Sequence, residues 1–132
     1  MIRIEPTKVI PDVPWTVQSY RELEQLETVR AASTFMWEIT LAGRPIAVVG
    51  IIYLSLAGTP WLWALIGEEF KNHVVANVRY LREQSHRIPQ DTRACVEKGY
   101  EDGVRFARFF GFAPTMEEFE QNNRTYQLFR RL

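Results

Sequence analysis

Cysteine is almost absent from this chain: Cys95 is the only one in 132 residues, and histidine occurs just twice. A single thiol excludes an intrachain disulfide framework and a cysteine-rich zinc site. His73 and His86 stand at the two ends of one helical stretch, too far apart to share an ion, so no metal is expected. Net charge is missing as well, since 16 Lys plus Arg balance 16 Asp plus Glu. Neither half is a basic arm: residues 1–66 carry five basic and six acidic residues, and the rest eleven and ten. Non-specific nucleic-acid binding, which runs on phosphate neutralisation, therefore gets no support. Long apolar runs are also lacking. The longest, Ile46 to Ala57, is interrupted by Gly50, Tyr53 and Ser55 and falls well short of the roughly 20 residues that span a bilayer. Arg3, Glu5 and Lys8 break up the start, so no signal peptide is read there. A soluble intracellular domain is the expectation.

What is plentiful is apolar bulk. Hydrophobic residues make up 46% and aromatics 13%, with four Trp, five Tyr and eight Phe. That is too much for a disordered segment. The length leaves no room for a second core, so one domain over 1–132 is expected. Near-zero charge gives little colloidal repulsion, which suits a protein inside an assembly.

The periodicity changes along the chain. Ile2–Ile4 alternates as a first strand, and Pro6, Pro11 and Pro14 make a stiff connection. Val17 to Arg30 favours a helix with Thr16 or Ser19 as N-cap. Its apolar positions recur every three residues, so the stripe drifts and a break or tilt is expected. Strands follow at 35–41, 46–53 and 61–66, joined by turns at 42–45 and 57–60. Phe70, Val74, Val78 and Leu81 then mark one face of a long helix over 68–86. A strand over 92–97 precedes a short helix from Asp102, whose Phe106, Phe109 and Phe110 pack inward before Gly111. Residues 112–119 and 125–130 read as the last two strands, around a turn at 121–123. The predicted order is β-α-β-β-β-α-β-α-β-β, an α/β (α+β) arrangement with helices on the faces of a mixed, mostly antiparallel sheet.

This order, with Trp61-Leu62-Trp63-Ala64-Leu65-Ile66-Gly67 before the long helix and Arg105-Phe106-Ala107-Arg108-Phe109-Phe110-Gly111-Phe112 after it, resembles the GNAT-type N-acetyltransferase fold. Three segments are similar to the small acyltransferase-like internal virion proteins of short-tailed (podovirus) phages. They are Ile4-Glu5-Pro6-Thr7-Lys8, the stretch Ile39-Thr40-Leu41-Ala42-Gly43-Arg44-Pro45-Ile46-Ala47, and Tyr126-Gln127-Leu128-Phe129. This resemblance implies a role in virion morphogenesis or in the internal core, with other virion proteins as partners and no catalysis required. It implies the host cytoplasm during assembly as the location, with the virion interior as a further one.

The GNAT resemblance also sets what acyl-CoA chemistry would require. A loop of the type Arg/Gln-x-x-Gly-x-Gly/Ala would cradle the pyrophosphate with backbone N–H groups. Here Gly67-Glu68-Glu69-Phe70-Lys71-Asn72-His73 keeps one glycine and places two carboxylates where the anion would dock. Both acids read as first-turn residues complementing the helix dipole. Trp63, Ala64 and Leu65 occupy the strand whose backbone would pair with a pantetheine arm. Lys71 or Asn72 are the candidates for phosphate. The general-acid Tyr expected four residues before the Gly of Gly-Phe is Ala107. Tyr100 is the weak substitute, with a strand-end aromatic as the plainer reading. Glu38 is a weak candidate for a base, with a sheet-surface carboxylate the commoner case.

Other constellations carry less chemistry. Cys95 between Ala94 and Val96 reads as inert core. Glu117, Glu118 and Glu120 lack ligand spacing and read as a solvated face. The arginines 79, 82, 87, 93, 105 and 108 read as solvated or partner-facing. Three functions follow. The preferred one is a virion or assembly protein on a catalytically eroded acyltransferase fold that needs no cofactor. The alternative is a small N-acyltransferase with an atypical site for acetyl-CoA or CoA. The third is a host-directed inhibitor anchored by Trp15, Trp61 and Tyr53.

Overall fold

Ile2 and Ile4 are buried while Arg3 and Glu5 are exposed, the alternation of a strand with one face on a core. In this computed structural model, which describes residues 2–23, 33–53, 58–73, 75–121 and 123–131, that strand is β1 (Ile2–Pro6). It is followed by α1 (Val17–Leu23), β2 (Ser33–Leu41), β3 (Arg44–Tyr53), β4 (Pro60–Ile66), α2 (Val78–Gln84), β5 (Arg93–Glu97), α3 (Glu101–Phe109), β6 (Phe112–Gln121) and β7 (Arg124–Arg131). The predicted order of elements is the observed one. Seven strands form one sheet in the order β1-β2-β3-β4-β5-β7-β6. Every neighbouring pair is antiparallel except β4 and β5.

The β2–β3 hairpin closes through Ala42 and Gly43, both at positive φ (51° and 81°). Paired left-handed residues match the twist of the flanking strands, which selects this tight turn. Helices cover both sheet faces. Leu81 of α2 and Phe106 and Ala107 of α3 pack with Ile39, Val49, Leu62, Ile66 and Val96. On the opposite face Val13, Trp15, Val48 and Leu65 form a second cluster, flanked by Leu23, Met36 and Trp63.

Three expectations are corrected here. The long helix over 68–86 is replaced by 3-10 turns at Phe70–Asn72 and Val75–Asn77, the seven-residue α2, and a further 3-10 turn at Ser85–Arg87. The backbone closes three residues back, with Asn72 N–H on Glu69 C=O and His73 N–H on Phe70 C=O. Asn77 Nδ2 donates to the His73 carbonyl at 2.8 Å, offering the chain a local alternative to the α-helical ladder. The α1 helix buries Ser19 and leaves Val17 and Tyr20 exposed, so the apolar stripe read from the sequence is not its inner face. The rest of that predicted helix, 24–30, lies outside the described residues. Trp15 is 2% exposed and so is no surface anchor, whereas Tyr53 is exposed.

Gly50 sits mid-strand because the indole of Trp63 lies across it: a Cβ there would stand 2.2 Å from the ring. Trp63 Nε1 donates to Ser33 Oγ at 2.8 Å, so the ring is not free to swing away. Gly50→Ala is therefore expected to destabilise the fold by about 1–3 kcal/mol through overpacking, read from urea unfolding midpoints.

Candidate functional site

The parallel ladder between β4 and β5 holds for two pairs only, Trp61↔Arg93 and Leu62↔Ala94. Beyond them the strands diverge and a cleft of about 330 Å³ opens between them. Trp61, Trp63, Cys95, Glu97, Phe119 and Tyr126 line it from one sheet face. Leu62, Ala64, Val96, Tyr100 and Ala107 line it from the other side.

Strand alternation decides which β4 backbone groups reach this opening. Gly67 N–H donates to Ile46 C=O across the β3–β4 pair, while Ile66 N–H turns the other way and donates to Ser19 Oγ at 2.9 Å. Two residues back from Ile66, Ala64 shares its orientation and presents N–H and C=O to the opening. Trp63 and Leu65, opposite Gly50 and Val48, direct theirs at β3. Of the three residues read as a ligand-pairing strand, only Ala64 turns its backbone toward the opening. The Trp63 indole is a wall of the cleft, and Leu65 is fully buried beside Trp15 and Val48.

The C-terminal end of β4 is already occupied. Thr16 N–H donates to Ile66 C=O at 2.9 Å, Glu68 N–H donates to Pro14 C=O at 2.9 Å, and Trp15 bridges Gly67 in antiparallel sense. Residues 14–16 thus form a strap beside Ile66–Glu68, where β5 has moved off. Thr16 Oγ1 donates to Ser19 Oγ at 3.1 Å and lies 2.6 Å from the Tyr100 hydroxyl. Tyr100 therefore reaches from the start of α3 to the strap across the mouth of the divergence. Gly103 makes this possible, since a Cβ there would meet the Tyr100 ring at 2.7 Å.

In the loop after β4 most of the N–H groups already have internal acceptors. The Gly67 and Glu68 N–H groups are spent on Ile46 and Pro14, and the Phe70 N–H on Gly67 C=O. Glu69 is not a helix-dipole acid, because no α-helix begins there. Both its oxygens accept from the Arg44 guanidinium at 3.0 Å, and His73 Nε2 lies 3.7 Å away. Asn72 ends the 3-10 turn and is exposed, and the side chain of Lys71 lies outside what is described. Glu38 is two strands from the cleft, opposite Val48 and Glu5, so it is not a base for anything bound there. Among the described residues no group of three metal-ligating side chains comes together.

Cys95 lines the cleft at intermediate exposure and is not closed core. Burial pushes its thiol up from 9.0 to about 11, so it stays protonated near neutral pH and is a poor nucleophile.

By sequence the chain matches no family model and no curated protein. By structure it is similar to an IAA acetyltransferase from Bacillus cereus, at 13% identity over 99% of both chains and a TM-score of 0.65. A GNAT family acetyltransferase from Elizabethkingia anophelis, solved with acetyl-CoA bound, aligns at 11% identity over 98% of this chain and 97% of its own, with a TM-score of 0.65. The fold is that of the GNAT acetyltransferases. A GNAT family acetyltransferase from Bacillus cereus adds a TM-score of 0.66 at 10% identity, covering 100% of this chain and 99% of its own. Identities this low show the fold alone.

An acyl-CoA donor associated with the GNAT fold has two ends, and the residues present treat them differently. The pantetheine end fits: Ala64 offers a donor and an acceptor beside an apolar cleft. The nucleotide end fits less well, because the Gly67, Glu68 and Phe70 N–H groups are used internally and Glu68 and Glu69 sit in its place. Sequence reasoning missed Thr16, Ser19, Glu97, Phe119 and Tyr126 as parts of this site. Gly103 within a helix and Gly50 within a strand were the available signals of close approach.

Two expectations follow. Ser19 is 1% exposed, and Ser19→Ala would leave the buried Ile66 N–H without its acceptor, costing about 1–3 kcal/mol. Chemical denaturation of this variant beside Tyr100→Phe, which keeps that bond, measures the difference. Because the folded thiol titrates above its unfolded value, the Cys95 contribution to stability should be constant well below pH 9 and be lost as pH rises from 9.0 toward about 11. Cys95→Ala should remove that slope, and iodoacetamide should label native Cys95 far more slowly than unfolded chain at pH 7.5.

Proposed function

We propose that the chain is a small N-acyltransferase whose cleft takes the pantetheine end of an acyl donor without the usual anchorage of the nucleotide end. The single observation that carries this reading is the Ala64 rung, turned toward a cleft of about 330 Å³ between diverging strands. The acetyltransferase activity named for the solved neighbours favours it over a purely structural role. In this reading the Ala64 backbone orients the arm, Trp61 and Trp63 exclude water from one side, and the Tyr100 hydroxyl, shared with Thr16, is the proton carrier on the other. Ala107 cannot donate a proton, so the usual acid has no counterpart at that position.

A second reading rests on its own observations. The filled nucleotide end, the missing acid and the three phage-like segments support a morphogenesis or internal virion protein of a short-tailed phage, with other virion or core proteins as partners. It would act in the host cytoplasm during assembly. No helix among the described residues is long and apolar enough to cross a membrane.

A thermal-shift titration separates these readings, since a ligand that binds only the folded state raises Tm by mass action. Acetyl-CoA and S-acetylpantetheine are expected to shift Tm equally, and adenosine 3′,5′-bisphosphate not at all. A shift from the bisphosphate would restore the nucleotide anchor and sink the pantetheine-only site. A flat response to all three would leave the virion reading, for which deletion of the gene should stop the formation of infectious particles.

A further inference from the structure

The cleft has a second feature that the donor reading does not use. On the sheet face that carries Trp61 and Cys95, Phe119 and Tyr126 are stacked at 5.5 Å with 19° between their planes, and Phe119 is 39% exposed. Glu97 lines the cleft beside them, opposite Tyr126 in the β5–β7 register. Its carboxylate accepts from Arg21 of α1 at 2.9 Å and stands 3.4 Å from Nε of Arg124 on β7. Glu97 is 17% exposed, whereas the two arginines are 37% and 38% exposed.

Two guanidiniums thus share one carboxylate at the edge of an aromatic-walled cleft. Among the described residues the local sum is one positive charge, and each guanidinium carries five N–H donors, more than Glu97 can accept. Lys98 and Glu118 cancel each other, at 2.9 Å. A planar fork of this kind matches a carboxylate better than a point charge does, because paired N–H groups meet both oxygens. The flat rings beside it select a planar apolar body, which stacks offset or edge-on. An ammonium group gains nothing here, since Glu97 is already taken up by two cations.

We propose that this outer part of the cleft binds a small aromatic carboxylate, with its ring against Phe119, Tyr126 and Trp61 and its carboxylate on Arg21 and Arg124. Resting on the acyltransferase reading, this names the acceptor class: an aromatic α-amino acid, whose carboxylate is held at the rim while the amine faces the interior. The binding step itself requires no acyl donor.

The test is therefore run without one. Calorimetric titration with 3-phenylpropionate and L-phenylalanine is expected to give saturable binding at millimolar concentration, and phenethylamine, which keeps the ring and lacks the carboxylate, none. Arg124→Gln and Arg21→Gln should each weaken the carboxylates about tenfold or more, the scale of a lost charge-assisted bond. Phe119→Ala should weaken them with the charge pattern intact. Native-like circular dichroism of at least one arginine variant keeps the comparison interpretable. Equal binding of phenethylamine, or no binding of either carboxylate to the unaltered chain, overturns the proposal. Carboxylate binding with no transfer from S-acetylpantetheine would leave it standing and remove the acyltransferase reading instead.

Discussion

A strand that loses its neighbour must find partners for its backbone elsewhere, because buried N–H and C=O groups are rarely left unpaired. This constraint falls on β4 once β5 turns away after Leu62↔Ala94. The chain meets it twice and then stops. Ile66 is satisfied from within, by Thr16 N–H and Ser19 Oγ, and Glu68 by Pro14. Ala64 is left between the last strand rung and the strap. The position of the cleft, the burial of Trp15 and Ser19, and the reach of Tyr100 to Thr16 all follow from that division.

The same division explains why local chemistry and overall shape point in different directions. The sheet order and the parallel β4–β5 contact belong to the GNAT fold, and they depend on burial patterns spread over many residues. The nucleotide-binding loop depends on a few N–H groups with nothing else to do. Here the Gly67 and Glu68 N–H groups serve Ile46 and Pro14, and Glu69 pairs with Arg44 beside the turn of the β2–β3 hairpin. A fold tolerates such rewiring because its core is elsewhere, in the layers built on Ile39, Leu62, Val96 and Phe106.

The order of elements was legible because apolar alternation and helical spacing report burial directly, as in Ile2–Ile4 and Thr125–Arg130. The 68–86 helix misled because Phe70 and Leu81 do face one core, yet the turns between them reach it by 3-10 geometry. Periodicity does not distinguish these when Asn72, His73 and Asn77 favour local bonds. Ala64 was picked out together with Trp63 and Leu65, and only the register against β3 tells them apart. Cys95 read as core because its neighbours are apolar, but its own side chain points at the gap that parallel pairing failed to close. Glu97, Arg21 and Arg124 come from three separate elements, and no spacing along the chain relates them.

The strap is tethered by the chain itself, and this changes how any extended ligand must approach Ile66. Residues 14–16 compete for those backbone groups at an effective concentration on the order of millimolar, the usual scale for a short flexible connection. A free ligand displaces them only if its concentration divided by its dissociation constant outruns that built-in competitor. The molecule therefore behaves as if partly saturated by a piece of itself, and selectivity shifts toward ligands short enough to stop at Ala64.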